Sequence, residues 1–344
     1  MKIAHVVRRY GAVGGMEKYV LELTRELAKR GHEITVVCEK KICEDFAGIE
    51  THEMGSIRQR PRWLSLLRFS NRVTDFFENY PKDNLIIHSH ERLGIHDITT
   101  FHGPPFATIR EKPLWKRLSL RIRMQLWLER RELLSPSVKA VVPNSPLIKK
   151  LLEQYYPDAT LLAPIPPGVD PVIPGMPREV PAQGGVIGFV GREWKRKGLD
   201  MALAIARKLR EKRPELKMLI IGPDPEDIRP ASSLDYCICP GWKNHPDFSS
   251  MDMLLHPAKA EPYGMVIAEA LSSGVPVVIS DRCGFAPYLP KDSGEILNLE
   301  QDVTFWAEAC DRQLSRTSPP EPFRRSWEDV AKDYEKIYLE MEKP

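Results

Sequence analysis

Long apolar runs are missing from this chain of 344 residues; none approaches the roughly 20 apolar positions that a membrane-spanning helix needs. The opening MKIAHVVRRY also lacks the apolar stretch and small-residue cleavage site of a secretory signal, and reads as a first buried strand. Cysteine is sparse. The six present (Cys38, Cys43, Cys237, Cys239, Cys283, Cys310) show no Cys-x-x-Cys spacing and are too few for a disulfide framework at this length, which points to a reducing cytoplasm. No G-x-G-x-x-G is followed by an acidic residue about 20 positions on, so an NAD-dependent dehydrogenase is set aside. No recognised nucleic-acid-binding motif accompanies the basic stretches, and no nucleic-acid partner is expected. His88, His90, His96 and His102 have no Cys or acidic partners at ligand spacing, so no metal is expected there.

What remains is ordinary globular composition, 42% hydrophobic and 28% charged. The length exceeds what one hydrophobic core usually supports, so two domains of roughly 150 residues are expected. The net charge of +3 hides an asymmetry: residues 1–163 hold 27 Lys+Arg against 19 Asp+Glu, a balance of +8, and the remainder holds 23 against 28, or −5. The N-terminal half is the side expected to meet something anionic.

Strand and helix signals alternate along the chain. KIAHVV is a short apolar strand, GAVGG a turn, and MEKYVLELTRELAKRG an amphipathic helix with Met16, Val20, Leu23 and Leu27 on one face and a stop at Gly31. EITVVCE completes a βαβ unit, and NLIIHSH, DITTFHG and KAVVPNS read as further strands, with a long helix from about Leu114 to Leu134. Proline-dense APIPPGVDPVIPGMPREVPA then opposes both helix and central strand, which places an interdomain linker at about 165–182, after an N-terminal domain of residues 1–164. GVIGFVG, LDMALAIARKLREKRP, KMLIIGP, DYCICPG, DMLLHPA, GMVIAEALSSG and VPVVISD restate the pattern over a second domain, 183–316. Two doubly wound α/β halves follow. Residues 317–344 are expected to end in a helix that packs back on the first domain.

Two segments of the second half carry chemistry. GFVGREWKRKGLD sets a glycine turn at Gly191 and a basic cluster between strand and helix, where such folds hold phosphates. Arg192 can grip phosphate oxygens through several donors and Lys197 can stand beside it as a point charge; equally, a charge run is often a solvated loop. In HPAKAEPYGMVIAEALSSGVPVV, Glu261 and Glu269 are separated by seven residues, with Pro262 to Gly264 marking a helix start and Glu269 nearly two turns in. An anion there would meet the amides of Gly264 and Met265, Glu261 would accept hydrogen bonds from sugar hydroxyls, and Glu269 would hold a ribose diol. The plain alternative has Glu261 capping the helix and Glu269 on an exposed face. In the first half, Gly14 and Gly15 allow close backbone approach to a ligand, or simply build a turn.

The segment EPYGMVIAEALSSGVPVV resembles the signature of glycosyltransferase family 4, whose two glutamates share this spacing. GREWKRKG is similar to that family's phosphate-binding Gly-Arg and Lys-Gly pairs, and GAVGGMEKYV to its glycine loop. LLHPAKAEPYGMVIAEALSSGVPVVISDRCGFAPYL further resembles enzymes that add glucose to the core of bacterial lipopolysaccharide, and the match runs in order to the final SWEDVAKDYEKIY. The resemblance implies the GT-B architecture, two Rossmann-like domains facing a central cleft. It also implies a retaining transfer from a nucleotide-diphosphate sugar, by default a UDP-sugar, with no cofactor. His102 in TTFHGPP matches the family histidine that touches the transferred sugar. No two aspartates stand one residue apart, so the Asp-x-Asp metal clamp of the other large glycosyltransferase fold is missing; Arg192, Lys197 and a helix dipole are left to neutralise the leaving diphosphate, and metal-independent action is expected.

The acceptor reading rests on charge. RQRPRWLSLLRFSNR (58–72) and IREKPLWKRLSLRIRMQLWLERRELL (109–134) interleave Arg, Lys and Trp with Leu. That composition suits a helix lying on the anionic inner face of the cytoplasmic membrane or gripping a phosphorylated lipid-linked glycan; it suits equally a core-packed helix with a wet basic face. A nucleotide-sugar epimerase, a sugar-phosphate synthase and a non-catalytic nucleotide-binding, membrane-docking protein are the rival functions. Product analysis with donor alone separates the first two, and sugar-orienting carboxylates argue against the third.

Overall fold

The computed structural model describes residues 1–81, 83–170, 179–243 and 246–342. Two compact units divide the chain, Met1–Gly168 with Trp327–Pro344, and Val169–Ser326. Of the proline-dense stretch, residues 171–178 lie outside the described residues.

The first unit alternates β1 (Lys2–Tyr10), α1 (Gly15–Lys29), β2 (Glu33–Lys41), β3 (Ile49–Glu53), α2 (Arg62–Asn79), β4 (Leu85–Ser89), β5 (Ile98–Phe101), α3 (Leu120–Leu134), β6 (Ala140–Pro143) and α4 (Pro146–Tyr155). Its six strands run in the order β3-β2-β1-β4-β5-β6, and every pairing is parallel. The inner strands are largely apolar on both faces, as parallel strands covered on both sides require. Ile3, Ala4, Val6 and Val7 of β1 are fully buried, as are Val20, Leu23 and Leu27 of the α1 stripe. Gly31, at φ 85°, ends α1 as the sequence indicated.

The second unit repeats the design with β7 (Val186–Val190), α5 (Leu199–Arg210), β8 (Lys217–Ile221), α6 (Arg229–Ser232), β9 (Cys237–Gly241), β10 (Met253–His256), α7 (Met265–Ser272), β11 (Val277–Ser280), β12 (Gly294–Leu297) and α8 (Val303–Leu314). Its order, β12-β11-β10-β7-β8-β9, is the same winding. The last helix, α9 (Trp327–Glu342), belongs to the first unit, where Trp327 and Tyr334 meet the ring of Tyr19 on α1 edge-on.

One expectation changes. The long helix from Leu114 breaks up: Phe106–Glu111 and Leu114–Lys116 are 3-10 turns, and α3 starts only at Leu120, where the Ser119 hydroxyl accepts from the Ile122 N–H. Ser119 supplies the side-chain cap that starts a helix anew, so the turn at Leu114 does not run on into α3. The basic stretch 58–72 enters α2, which buries Phe69, Val73 and Phe77 and leaves Arg62, Arg68 and Arg72 outside. Its apolar face packs in the core and its basic face stays exposed.

Candidate functional site

In each sheet the winding reverses beside the first strand of its unit, between β1 and β4 and between β7 and β10. The strand ends at such a reversal leave a crevice where ligands bind in this class of fold. Gly14, Gly15, His102, Gly191, Arg192, Lys197, Glu261, Gly264 and Met265 sit on loops or helix starts that follow strands, and Glu269 lies within α7.

In the second unit, Gly191 to Gly198 follow β7 and Pro257 to Gly264 follow β10. The Lys259 N–H donates to the Arg196 carbonyl (2.9 Å), tying the two loops together. Gly191 stands at φ 149°, and a Cβ there would lie 2.1 Å from Lys197 Cδ, so only glycine lets the lysine cross the turn. Lys197 passes over it to Glu261, donating from Nζ to Oε2 at 2.7 Å. His256 Nε2 lies 3.3 Å and Arg196 Nη1 3.5 Å from that same oxygen. Glu261 is 7% exposed. Burial alone would raise its pKa, but the Lys197 ammonium, the His256 hydrogen bond and Arg196 more than reverse this and hold the carboxyl well below its usual range. His256 moves down, through burial first and then Lys197, against the pull of Glu261.

All three contacts fall on Oε2, and Oε1 has no partner among the described residues. Nor is Oε1 among the fully buried polar atoms lacking a partner, so it retains exposure. The carboxylate is thus clamped by one oxygen and presents the other. It does not cap the helix: Gly264, at φ 105°, is the N-cap of α7, and no side chain bonds there. Glu269 is half-buried on α7, the fifth residue of the helix, little more than one turn in rather than nearly two.

Arg192 and Lys197 are not a free cationic pair. Lys197 is engaged by Glu261, whereas exposed Arg192 stacks on Trp242, its guanidinium carbon 3.8 Å from the ring centroid. Arg192 has no carboxylate partner among the described residues, so its donors remain available to an anion. Arg196, in the basic run for which a solvated loop was the alternative, reaches the Ala260 carbonyl and Glu261. Trp242 and His256 were missed. His256 gave a signal only in retrospect, as a polar residue ending an apolar strand five positions before the glutamate; Trp242 gave none.

In the first unit, Gly14 is the N-cap of α1 in extended conformation and Gly15 its first residue. Neither lines the cavity of about 330 Å³ bounded by Met16, Arg62, Glu91, Arg92, His102 and Arg121 among others. His102 follows β5 on this wall, its carbonyl accepting from Asn144 Nδ2 (3.2 Å). Arg62 and Arg121 are exposed there without ion-pair partners among the described residues. Burial pushes the Glu91 carboxyl up to about 7, against the Arg8 backbone N–H and guanidinium; nothing in the sequence had marked it.

Of the four histidines weighed as metal ligands, His88, His90 and His102 come together, whereas His96 turns to another partner. His96 Nε2 bonds the Glu132 carbonyl (2.9 Å). His5, His88 and His90 bring ring nitrogens within 4.8 Å of one another. Both nitrogens of His88 are, however, held by hydroxyls, of Tyr338 (2.6 Å) and Thr100 (2.7 Å), and its ring is stacked on that of His90.

Comparison with known proteins follows this geometry. Residues 13–172 match the family model described as Glycosyltransferase Family 4, and residues 184–316 the one described as Glycosyl transferases group 1. Lipopolysaccharide glucosyltransferase WaaG of Escherichia coli strain K12 is 22% identical over 371 residues, covering 97% of this chain and 94% of that protein. A crystal structure of WaaG, a glycosyltransferase involved in lipopolysaccharide biosynthesis, superposes with a TM-score of 0.80 at 19% identity, covering 99% of this chain and 100% of that one. Anabaena Alr3699/HepE in complex with UDP and glucose superposes with a TM-score of 0.67 at 15% identity, covering 99% and 100%.

Proposed function

Because the chain belongs to glycosyltransferase family 4 and has its GT-B fold, we propose that it moves a hexose from a nucleoside-diphosphate sugar to an anionic glycan or lipid-linked acceptor, with retention at the anomeric carbon. UDP-glucose is the donor we assign, and assembly of lipopolysaccharide or another cell-envelope polysaccharide the setting. The names of the relatives support this, as does the UDP and glucose complex of a structural neighbour.

One observation carries the reading: a buried carboxylate, kept ionised by cations on one oxygen, offers its other oxygen at the crevice of the second unit. Hydroxyl groups of a sugar are donors to such an atom. The neighbouring Arg192, Lys197 and the amide end of α7 at Gly264 and Met265 supply positive potential for a diphosphate. Glu269 takes the ribose, and Gly191 keeps the phosphate loop open. In the first unit we assign His102, on its cavity wall, to contact with a sugar, and Gly14 and Gly15 to the turn that starts α1.

Glu261 orients rather than attacks, since its charge is committed to Lys197. The bond from the anomeric carbon to the diphosphate oxygen breaks, and the acceptor hydroxyl oxygen bonds that carbon from the same face. The departing diphosphate oxygen takes the hydroxyl's proton, and the protein's cations stabilise its negative charge without a metal.

The acceptor's chemistry follows from the first unit. Arg62 and Arg121 at the cavity suit a phosphorylated ligand. Leu114, Trp115, Leu118 and Leu120 are 65–74% exposed, beside exposed Arg110, Lys112, Arg121 and Arg123. Large apolar and basic side chains presented together suit peripheral docking on the anionic inner face of the cytoplasmic membrane; among the described residues no helix is long and apolar enough to cross one.

Glu261→Ala tests the core of the reading. Turnover of UDP-glucose should fall by about 10²–10³-fold, while UDP still binds within a few-fold by calorimetry. A fully active variant removes Glu261 from the site.

A further inference from the structure

A row of imidazoles runs inward from the cavity of the first unit. His102 Nε2 lies 2.9 Å from His90 Nδ1, and His90 Nε2 lies 3.2 Å from His5 Nδ1. His5 is fully buried in the middle of β1 and His90 is 4% exposed. His90 and His102 both line the cavity, and of the two only His102 has a nitrogen to spare: its Nδ1 has no partner among the described residues. Burial lowers His5 and His102 to about 3 and His90 well below its ordinary value, so all three rings are neutral near pH 7.

A neutral imidazole has one N–H and one lone pair. Three in a row can therefore satisfy both links in only two ways. If every N–H points inward, the chain ends on a His5 Nε2–H, an atom that is buried and without a partner. If every N–H points outward, His5 Nδ1–H donates to His90 Nε2, His90 Nδ1–H donates to His102 Nε2, and His102 Nδ1–H faces the cavity. Orphaned buried N–H groups are the rarest of unsatisfied polar atoms, and the outward order moves the terminal N–H to where water or ligand oxygens accept it.

We propose that His90 and His5 are positioning residues that hold His102 in the tautomer protonated on Nδ1, so that it meets the ligand in the cavity as a neutral hydrogen-bond donor and not as a base. The consequence for chemistry rests on the assignment of His102 to a sugar made above: a donor at that point takes a sugar oxygen or stabilises charge on it, and cannot deprotonate a hydroxyl.

The tautomer is directly readable. Full-length protein labelled with 15N-histidine, assigned by single substitutions, should give a long-range 1H–15N spectrum in which His102 Nδ1 has the protonated shift and Nε2 the unprotonated one. An Nε2-protonated His102, or a fast mixture of the two forms, overturns the proposal. His90→Phe keeps a ring but removes both links, so His102 should relax to a mixture and UDP-glucose hydrolysis should drop about tenfold. His90→Asn, which keeps an N–H near the position of Nδ1, should restore the tautomer and most of the rate. Unchanged His102 signals in His90→Phe also overturn it. Failure of the underlying reading looks different: His102→Ala hydrolysing UDP-glucose at the wild-type rate removes the sugar contact and leaves the spectrum intact.

Discussion

Lys197→Met removes the cation nearest to Glu261 while keeping the length of the side chain. At 2.7 Å and an effective dielectric of about 20, the gross attraction is about 6 kcal/mol. Desolvation offsets part of it, and breaking a buried pair from one side typically costs about 3–5 kcal/mol. Arg196 and His256 still contact the same oxygen, so the lower end, about 3 kcal/mol, is expected. For a unit of this size that lowers the melting temperature by about 6–12 °C. A double-mutant cycle with Glu261→Gln, read by urea denaturation, should give a coupling above about 1.5 kcal/mol. The pH dependence has a definite sign. The folded carboxyl sits below its ordinary 4.5, so the contribution of Glu261 is present above pH 4.5 and is lost as pH falls through the folded value. The stability gap between wild type and Lys197→Met should therefore narrow from pH 6 towards pH 3. A coupling below about 0.5 kcal/mol, or a gap independent of pH, refutes the electrostatic account of this clamp.

Three other outcomes follow from the structure. Gly191→Ala puts a Cβ into the path of Lys197 at a φ of 149°; it should destabilise by about 1–3 kcal/mol and weaken UDP binding in calorimetry, and wild-type values would show that the lysine has another route. Trp115→Glu with Leu118→Glu should cut partition onto anionic vesicles about 100-fold or more in sedimentation assays, from two apolar side chains worth at least about 1.5 kcal/mol each; unaltered binding rules out that face. Burial raises Glu91 to about 7 and Glu132 to about 8. Their contribution is thus complete below pH 4.5 and disappears as pH rises through those values. Glu91→Gln with Glu132→Gln should flatten the decline of urea stability between pH 5 and pH 8, and an unchanged slope counts against both shifts.

Legibility in the sequence followed periodicity. The strands of both sheets that lie next to the site read as unbroken apolar runs, because parallel strands buried on both faces need them. Weakly patterned elements did not show: β3 is IETHE and β12 is GEIL, both at sheet edges and only partly buried. The true start of α3 was legible in principle from Ser119, a residue type that caps helices, but a basic, Leu-rich stretch masks where a helix begins.

Residue chemistry by itself determined the two α/β halves, the glycine turns, and the pairing of a basic loop with a glutamate ahead of a short helix, since each depends on spacing along one segment. Only the tertiary structure decided what each charge faces. Lys197 and Glu261 are 64 residues apart and meet because β7 and β10 are neighbours in the sheet. The same adjacency gives Glu261 one clamped and one presented oxygen. His5, His90 and His102 likewise form a row only because β1, β4 and β5 lie side by side. Contacts between segments depend on strand order, and no local pattern of residues encodes it.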